Sequence, residues 1–315
     1  MKKTAITTII KAAVLIMSAA VSSAPGSDFP TPEGLEVKVE FWEKIFSVYS
    51  TKEYVIHDNE YLDIIYEVVD FRSTPLISEA KKRAIIAKTK NKYIGILNKI
   101  GRLKDQPHKL TKEELAVYEK FGGADGWRRF KNAAGRLRAQ GGISDRFSAG
   151  YDRSKRYMDR FREIFRKHGL PEELVYLPHV ESSFDVKAYS SCGAAGIWQF
   201  TRSTGKMYLT INGRVDERLD PYLSTEAAAR LLKENHKALG EWPLAVTAYN
   251  HGAYGMMKAV KTAGSSNIVD IIERYKGKSF GFASKNFYAE FLAARKVAMH
   301  RESVESTYAA ANKDW

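Results

Sequence analysis

The sequence predicts an all-α protein, and three observations carry that prediction. Apolar side chains recur at i, i+3 and i+4 in one segment after another, first as Phe41, Trp42, Ile45, Phe46 and Tyr49. Helix punctuation stands between these segments. Thr111-Lys-Glu-Glu114 reads as a capping box, Asp220-Pro221 as an N-cap and first helical residue, and Gly240 as a helix end. No stretch alternates apolar and polar residues for long enough to read as a long strand.

Residues 1–24 read as a signal peptide. Lys2 and Lys3 form its charged end and Ala12 to Val21 its apolar core, with small-residue cleavage sites at Ala20-Val-Ser22 and Ser22-Ser-Ala24. The apolar run is too short to span a bilayer, and no later stretch approaches the length needed. No cysteine lies near the cleavage region, so a lipidated N-terminus is not expected. The sole cysteine, Cys192, allows no intrachain disulfide and reads as a small residue in a turn. Of the formal charge of +13, +10 remains once Lys2, Lys3 and Lys11 leave with the signal. A basic protein beyond the cytoplasm meets anionic wall and membrane surfaces rather than nucleic acid.

Residues 25–150 are expected to form an N-terminal helical region. Leu62, Ile65, Tyr66 and Val69 repeat the helical spacing, as do Tyr93, Ile96, Leu97 and Ile100, and the aromatic stripe reads as core. Gly122, Gly123, Gly126, Gly141 and Gly142 mark connections. The basic residues from Arg128 to Lys167 are spaced among aromatics, as on solvated helix faces. Residues 151–300 read as a second helical domain and 301–315 as a tail. Within that domain Trp242-Pro243 opens a helix, Ser284 is placed to cap the last one, and Thr210 to Asp216 suits a small hairpin.

The candidate site centres on Glu181. Gly169 and Leu170 end one helix and Pro171 opens the next, with Glu172 and Glu173 in its first turn. At roughly 100° per residue, Leu174, Leu177, Val180 and Phe184 share a face, and Glu181 falls on it too. Ionising a carboxyl aimed into an apolar stripe is costly, so its pKa should rise, as a general acid requires. A buried Glu paired with Arg, or a helix end that lets it reach water, fits that helix equally well.

Two further stretches change the balance. Ser190-Ser-Cys-Gly-Ala-Ala-Gly196-Ile-Trp-Gln199-Phe200 is a small-residue turn leading to one amide, and Ala248-Tyr249-Asn250-His-Gly252 closes a helix with a ring and another amide. Together they resemble the lytic transglycosylases, lysozyme-like enzymes that cut bacterial peptidoglycan. Glu181-Ser182, Gly196-Ile-Trp-Gln199 and Ala248-Tyr249-Asn250 match, in order, that family's Glu-Ser, Gly-Leu-Met-Gln and Ala-Tyr-Asn motifs. The likeness is strongest to the membrane-bound lytic transglycosylase D branch and covers residues 165–300.

The resemblance implies a lysozyme-like SLT domain that cleaves the MurNAc–GlcNAc β-1,4 bond without water. The sugar's C6 hydroxyl attacks, leaving a 1,6-anhydro end, with Glu181 first the acid and then the base. It implies no metal and no cofactor, peptidoglycan strands as partner, and a periplasmic location. It also implies substrate contacts from Ser190, Gln199, Tyr249, Asn250 and Tyr288, the last with its hydroxyl close to the catalytic Glu. There are departures. Ile197-Trp198 replaces Leu-Met and is expected to form a bulkier cleft wall. Ser284-Lys285 stands where relatives often carry Glu-Thr, and no sugar-binding repeat follows residue 300.

Two other readings compete. A hydrolytic muramidase needs a second carboxylate. Asp185 suits a turn better, and Asp216, Glu217 and Asp220 are available but unplaced. A wall-binding scaffold without turnover would keep the cleft alone. Sharper-sounding motifs fail: His179-Val-Glu181 lacks the paired cysteines of zinc deaminases, and no two histidines stand at i, i+4. His251 reads as a polar surface histidine, while Phe200 and Met207 read as packing.

Overall fold

A computed structural model describes residues 28–311, so the expected signal peptide lies outside the described residues. Helices dominate. In chain order they are α1 (Glu36–Ser47), α2 (Glu79–Arg102), α3 (Lys112–Lys120), α4 (Trp127–Phe130), α5 (Ser144–Ser154), α6 (Met158–Lys167), α7 (Pro178–Glu181) and α8 (Arg202–Gly205). There follow α9 (Pro221–Leu239), α10 (Trp242–His251), α11 (Ala253–Ala263), α12 (Ile268–Arg274) and α13 (Phe282–Ala311). Residues 301–311, expected as part of a tail, continue α13. No described helix is long and apolar enough to cross a membrane.

The caps fall where the sequence puts them. Thr111 and Glu114 close a reciprocal capping box, Asp220 accepts from the amides of Tyr222 and Leu223, and Gly240 ends α9 in the left-handed region. Ser284 is the exception. It lies inside α13 and donates to Asn250 Oδ1.

One small sheet joins the helices: β1 (Glu53–Asp58) lies between β2 (Ile65–Asp70) and β3 (Leu137–Gly141), all antiparallel. The helical expectation for Leu62, Ile65, Tyr66 and Val69 is therefore corrected. The cause is burial on both faces. Val55 and its partner Val68 pack on the large core, whereas Tyr54 and its partner Val69, with Ile56 and Tyr66, pack on a smaller one. A strand apolar on both sides loses its period of two and mimics helical spacing.

The smaller core joins the sheet to Tyr93, Ile96, Leu97 and Ile100 of α2 and Val117, Tyr118 and Phe121 near α3. Everything else shares the larger core. There α1 packs along α13, α10 lies against α9 and α13, and α5 packs on α1 and α7. The expected boundary at residue 150 falls within α5. The region before it thus reaches the main core through α1 and α5, and its sheet abuts α13.

Candidate active site

Glu181 is the last residue of α7, a helix of one turn. The longer helix expected from Pro171 is broken: a 3-10 turn runs from Glu172 to Tyr176, and α7 follows from Pro178. Ser183 (φ 53°) and Phe184 (φ 57°) then reverse the chain in the left-handed region, which non-glycine residues enter at a cost. Arg153 of α5 donates to the Ser183 carbonyl at 2.6 Å, and Phe184 is buried against Phe161 and His179. These contacts hold the reversal and leave Glu181 half-buried at its lip.

The Glu181 carboxyl has no hydrogen-bond partner and no cation in salt-bridge range among the described residues, yet it is not sealed from solvent. Burial, with a smaller contribution from the Glu290 carboxylate, pushes its pKa up to about 8. The expected direction is present, and its leading cause is the desolvation that the apolar face implied.

A loop from Tyr189 to Phe200 forms the neighbouring wall. Ser182 Oγ donates to the Ile197 carbonyl at 2.8 Å, joining this loop to the end of α7. Gln199 sits at φ 48°, and its amide donates to the carbonyls of Gly196 and Ala188. Arg218, 3% exposed, donates to the carbonyls of Gly193 and Phe200 while pairing with Asp216. Tyr249 Oη donates to the Trp198 carbonyl at 2.8 Å, and burial and the Glu181 charge raise its pKa.

Ser190 is exposed, and its hydroxyl accepts from the Ala194 amide in the loop's turn. Asn250 is exposed at the end of α10, and its Oδ1 accepts from Ser284 of α13. The fold thus gathers Ser182, Gln199 and Tyr249 onto one loop system beside Glu181, with Asn250 next to Tyr249 on α10.

Tyr288 is placed differently from its expected role. It is 2% exposed, and its hydroxyl donates to the Pro30 carbonyl at 2.8 Å. Ile197 and Trp198 are core rather than cleft wall. They are 1% and 0% exposed, and the Trp198 indole donates to Thr225 Oγ1. Phe200 packs as expected, but Met207 is exposed. His251 is half-buried, with Nδ1 beside the Ser284 hydroxyl and its ring edge-on to Phe280.

The unplaced acids turn out to be structural. Asp185 accepts from the Lys187 amide in a turn, Asp216 holds Arg218, Glu217 accepts from the Thr210 amide, and Asp220 caps α9. The Thr210–Asp216 hairpin is reduced to one bridge between Ile211 and Asp216.

Sequence reasoning missed Glu290. It lies on α13, half-buried, with no hydrogen-bond partner or salt bridge among the described residues, and burial pushes its pKa up to about 8. Its signal was available: Glu290 is the one charged residue in Asn-Phe-Tyr-Ala-Glu-Phe-Leu-Ala-Ala (286–294), a stretch whose other side chains are buried.

The Transglycosylase SLT domain family profile matches residues 161–272, which hold Glu181, the loop and Tyr249-Asn250. The chain carries an SLT domain. Membrane-bound lytic murein transglycosylase D of Escherichia coli (strain K12) is 44% identical over 112 residues, 35% of this chain and 25% of that protein. A putative tributyltin chloride resistance protein of Alteromonas sp. (strain M-1) is 36% identical over 96 residues, 30% of this chain and 46% of that one. The matches therefore span about a quarter and under half of those relatives. The crystal structure of the 70 kDa soluble lytic transglycosylase SLT70 from Escherichia coli aligns at 19% identity with a TM-score of 0.36. That alignment covers 44% of this chain and 24% of that one. Glu290 and the sheet lie outside the SLT match.

Proposed function

We propose that the protein is a peptidoglycan lytic transglycosylase with Glu181 as its acid and then its base. The observation that carries this reading is a half-buried carboxyl with no hydrogen-bond partner or cation among the described residues, inside the stretch that matches an SLT domain, with burial pushing its pKa up to about 8. A protonated acid beside a glycosidic oxygen assists its departure. The conjugate carboxylate left behind can then take the proton of the attacking C6 hydroxyl. Gln199, Tyr249, Asn250 and Ser190 are proposed to hold the strand. Gln199 and Tyr249 donate to backbone carbonyls of the site loop, so they would act by fixing its shape as much as by touching sugar. No step in this scheme calls for a metal or cofactor. A peptidoglycan substrate places the enzyme in the periplasm, where its excess of positive charge would favour encounter with an anionic wall.

A second reading is hydrolysis, with water in place of the C6 hydroxyl. Glu290 favours it, because a muramidase requires the second carboxyl that the sequence alone did not locate. Mass spectrometry of products released from purified peptidoglycan separates the two. Anhydromuramic ends from the wild type and none from Glu181→Gln support transglycosylation. Reducing ends support hydrolysis, and strand binding without release by the wild type would leave only a wall-binding protein.

A further inference from the structure

The end of α2 borders a hollow on the smaller core. Leu97 and Gly101 line it from α2, and Trp127, Phe130 and the 3-10 turn Ala133–Gly135 line it from the other side, around about 670 Å³ that opens to solvent. That volume lies within the usual range of ligand pockets. Gly101 keeps the space clear, since a Cβ there would meet only the Phe130 ring, at 3.8 Å. The opposite wall is fastened from within. Asp58, fully buried, holds the Arg136 guanidinium at 2.9 Å, and Arg136 donates in turn to the carbonyls of Arg129 and Lys131. This fixes the chain where Asn132 turns through the left-handed region (φ 64°).

The polar residues of the hollow are unengaged. Arg102, Lys131, Asn98 and Asn132 line it, and none of the four side chains makes a hydrogen bond or ion pair among the described residues. No carboxylate lines it. Two cations without an acid favour an anionic ligand. Two amides, each a donor and an acceptor, match peptide groups, which also offer both. Buried Leu97 and Phe130 add an apolar lining that suits small aliphatic groups. A bare glycan strand fits less well, because it carries no charge for Arg102 and Lys131. Nor is Trp127 an open platform for a sugar: its ring is stacked on Phe130 at 5.0 Å and carries the Lys104 ammonium at 4.7 Å.

We propose that this hollow binds the acidic peptide stems of peptidoglycan, with Arg102 and Lys131 on stem carboxylates, Asn98 and Asn132 on its peptide groups, and Leu97 and Phe130 against its alanine methyls. It is a site apart from Glu181. Its residues, 97–135, precede the SLT match and belong to the smaller core, whereas Leu177, Val180 and Phe184 beside Glu181 belong to the larger one. The smaller core then holds the peptide-bearing wall while the SLT domain works on glycan. A weak contact suffices, because a strand held at one site meets the other at high effective concentration. That the anionic peptide is a wall stem rests on the peptidoglycan reading; that the hollow takes an anionic peptide rests on its own side chains.

The test is an NMR titration of the ¹⁵N-labelled protein with the stem tetrapeptide (alanine, D-glutamate, diaminopimelate, D-alanine) and with the same peptide amidated at its carboxyls. The acidic peptide should shift the amides of Gly101 and Asn132 to Gly135 and the Trp127 indole. Amidation of the peptide, or Arg102→Gln with Lys131→Gln in the protein, should weaken binding by about tenfold or more. Gly101→Leu fills the hollow and should abolish the shifts with the fold intact. Product release from soluble strands stripped of peptide should be the same for the wild type and these variants. The proposal is overturned if the peptide shifts nothing, if it shifts only signals around Glu181, or if neither amidation nor the double variant weakens binding. A loss of release from bare strands in the variants overturns it too, since the hollow would then belong to the glycan site. If the wild type binds the peptide here yet releases no product, the transglycosylase reading fails and the peptide site stands.

Discussion

A Cβ built on Gly196 would lie 1.9 Å from the carbonyl oxygen of Arg218. No real pair of atoms approaches that closely, and Gly196 also stands at φ +76°, which an L side chain resists. The loop of the site and the short helical turn before α9 are thus in backbone contact, and Arg218 fastens them from below through Gly193 and Phe200.

Gly196→Ala should therefore displace the loop, cost more than about 3 kcal/mol, and abolish activity. Gly193→Ala is its control. That glycine has a similar φ of +78° but nothing within 4 Å of its Cβ, so its cost should be only about 1 kcal/mol. Denaturant unfolding of both variants checks this. Equal losses would mean that φ, rather than the approach to Arg218, makes the position a glycine.

Trp198 offers a second test, because it lies in the core. Thr225→Val should leave the buried indole N–H without a partner and cost about 1–3 kcal/mol, with the loop and its Tyr249 contact loosened. Trp198→Phe in that background should add less than it does alone, since the two residues share one bond. Strict additivity in the unfolding free energies would show that the bond contributes nothing.

Most of the helices were legible because one face is buried and the other wet, and because Thr111, Asp220 and Gly240 mark their ends with local chemistry. β2 was not, since two cores claim its opposite faces and erase the alternation. Glu181 stood out as an acid on an apolar stripe, although the stripe proved to be a 3-10 turn and one turn of α7 rather than a single helix. Glu290 satisfies the same criterion on α13 but belongs to no recognised motif. The place of Arg138 could not be read at all: its guanidinium reaches the Phe282 ring only because β3 lies against β1, which is tertiary information. Trp198 was misplaced because a motif gives residue order, not the direction in which a side chain points.

Tyr288 separates a motif expectation from the geometry. Its hydroxyl donates to the Pro30 carbonyl, beside Phe29 and Phe291, and so ties the start of the described chain to α13. Tyr288→Phe should cost about 1–2 kcal/mol of stability and leave kcat within about twofold at a temperature where both proteins are folded. A fall in kcat by a factor of ten or more, without loss of stability, would return Tyr288 to the site.

Glu181→Gln is expected to lower kcat by about 10²–10⁴-fold or more, and its effect on stability carries a sign that a packing residue would not give. The folded pKa is about 8 against an ordinary 4.5, so between those values the folded state holds a proton that the unfolded chain releases. Wild-type stability from this group is fully present below pH 4.5 and is lost as pH rises towards 8. Gln cannot ionise and escapes that loss, while Glu290 keeps its own titration in both proteins. The variant should match the wild type at pH 4 and melt higher at pH 8, by about 2–4 °C for each kcal/mol of relieved desolvation. Thermal melts at pH 4, 6 and 8 decide it: a difference that does not grow with pH would mean that Glu181 ionises freely, and the acid role would lose its physical basis.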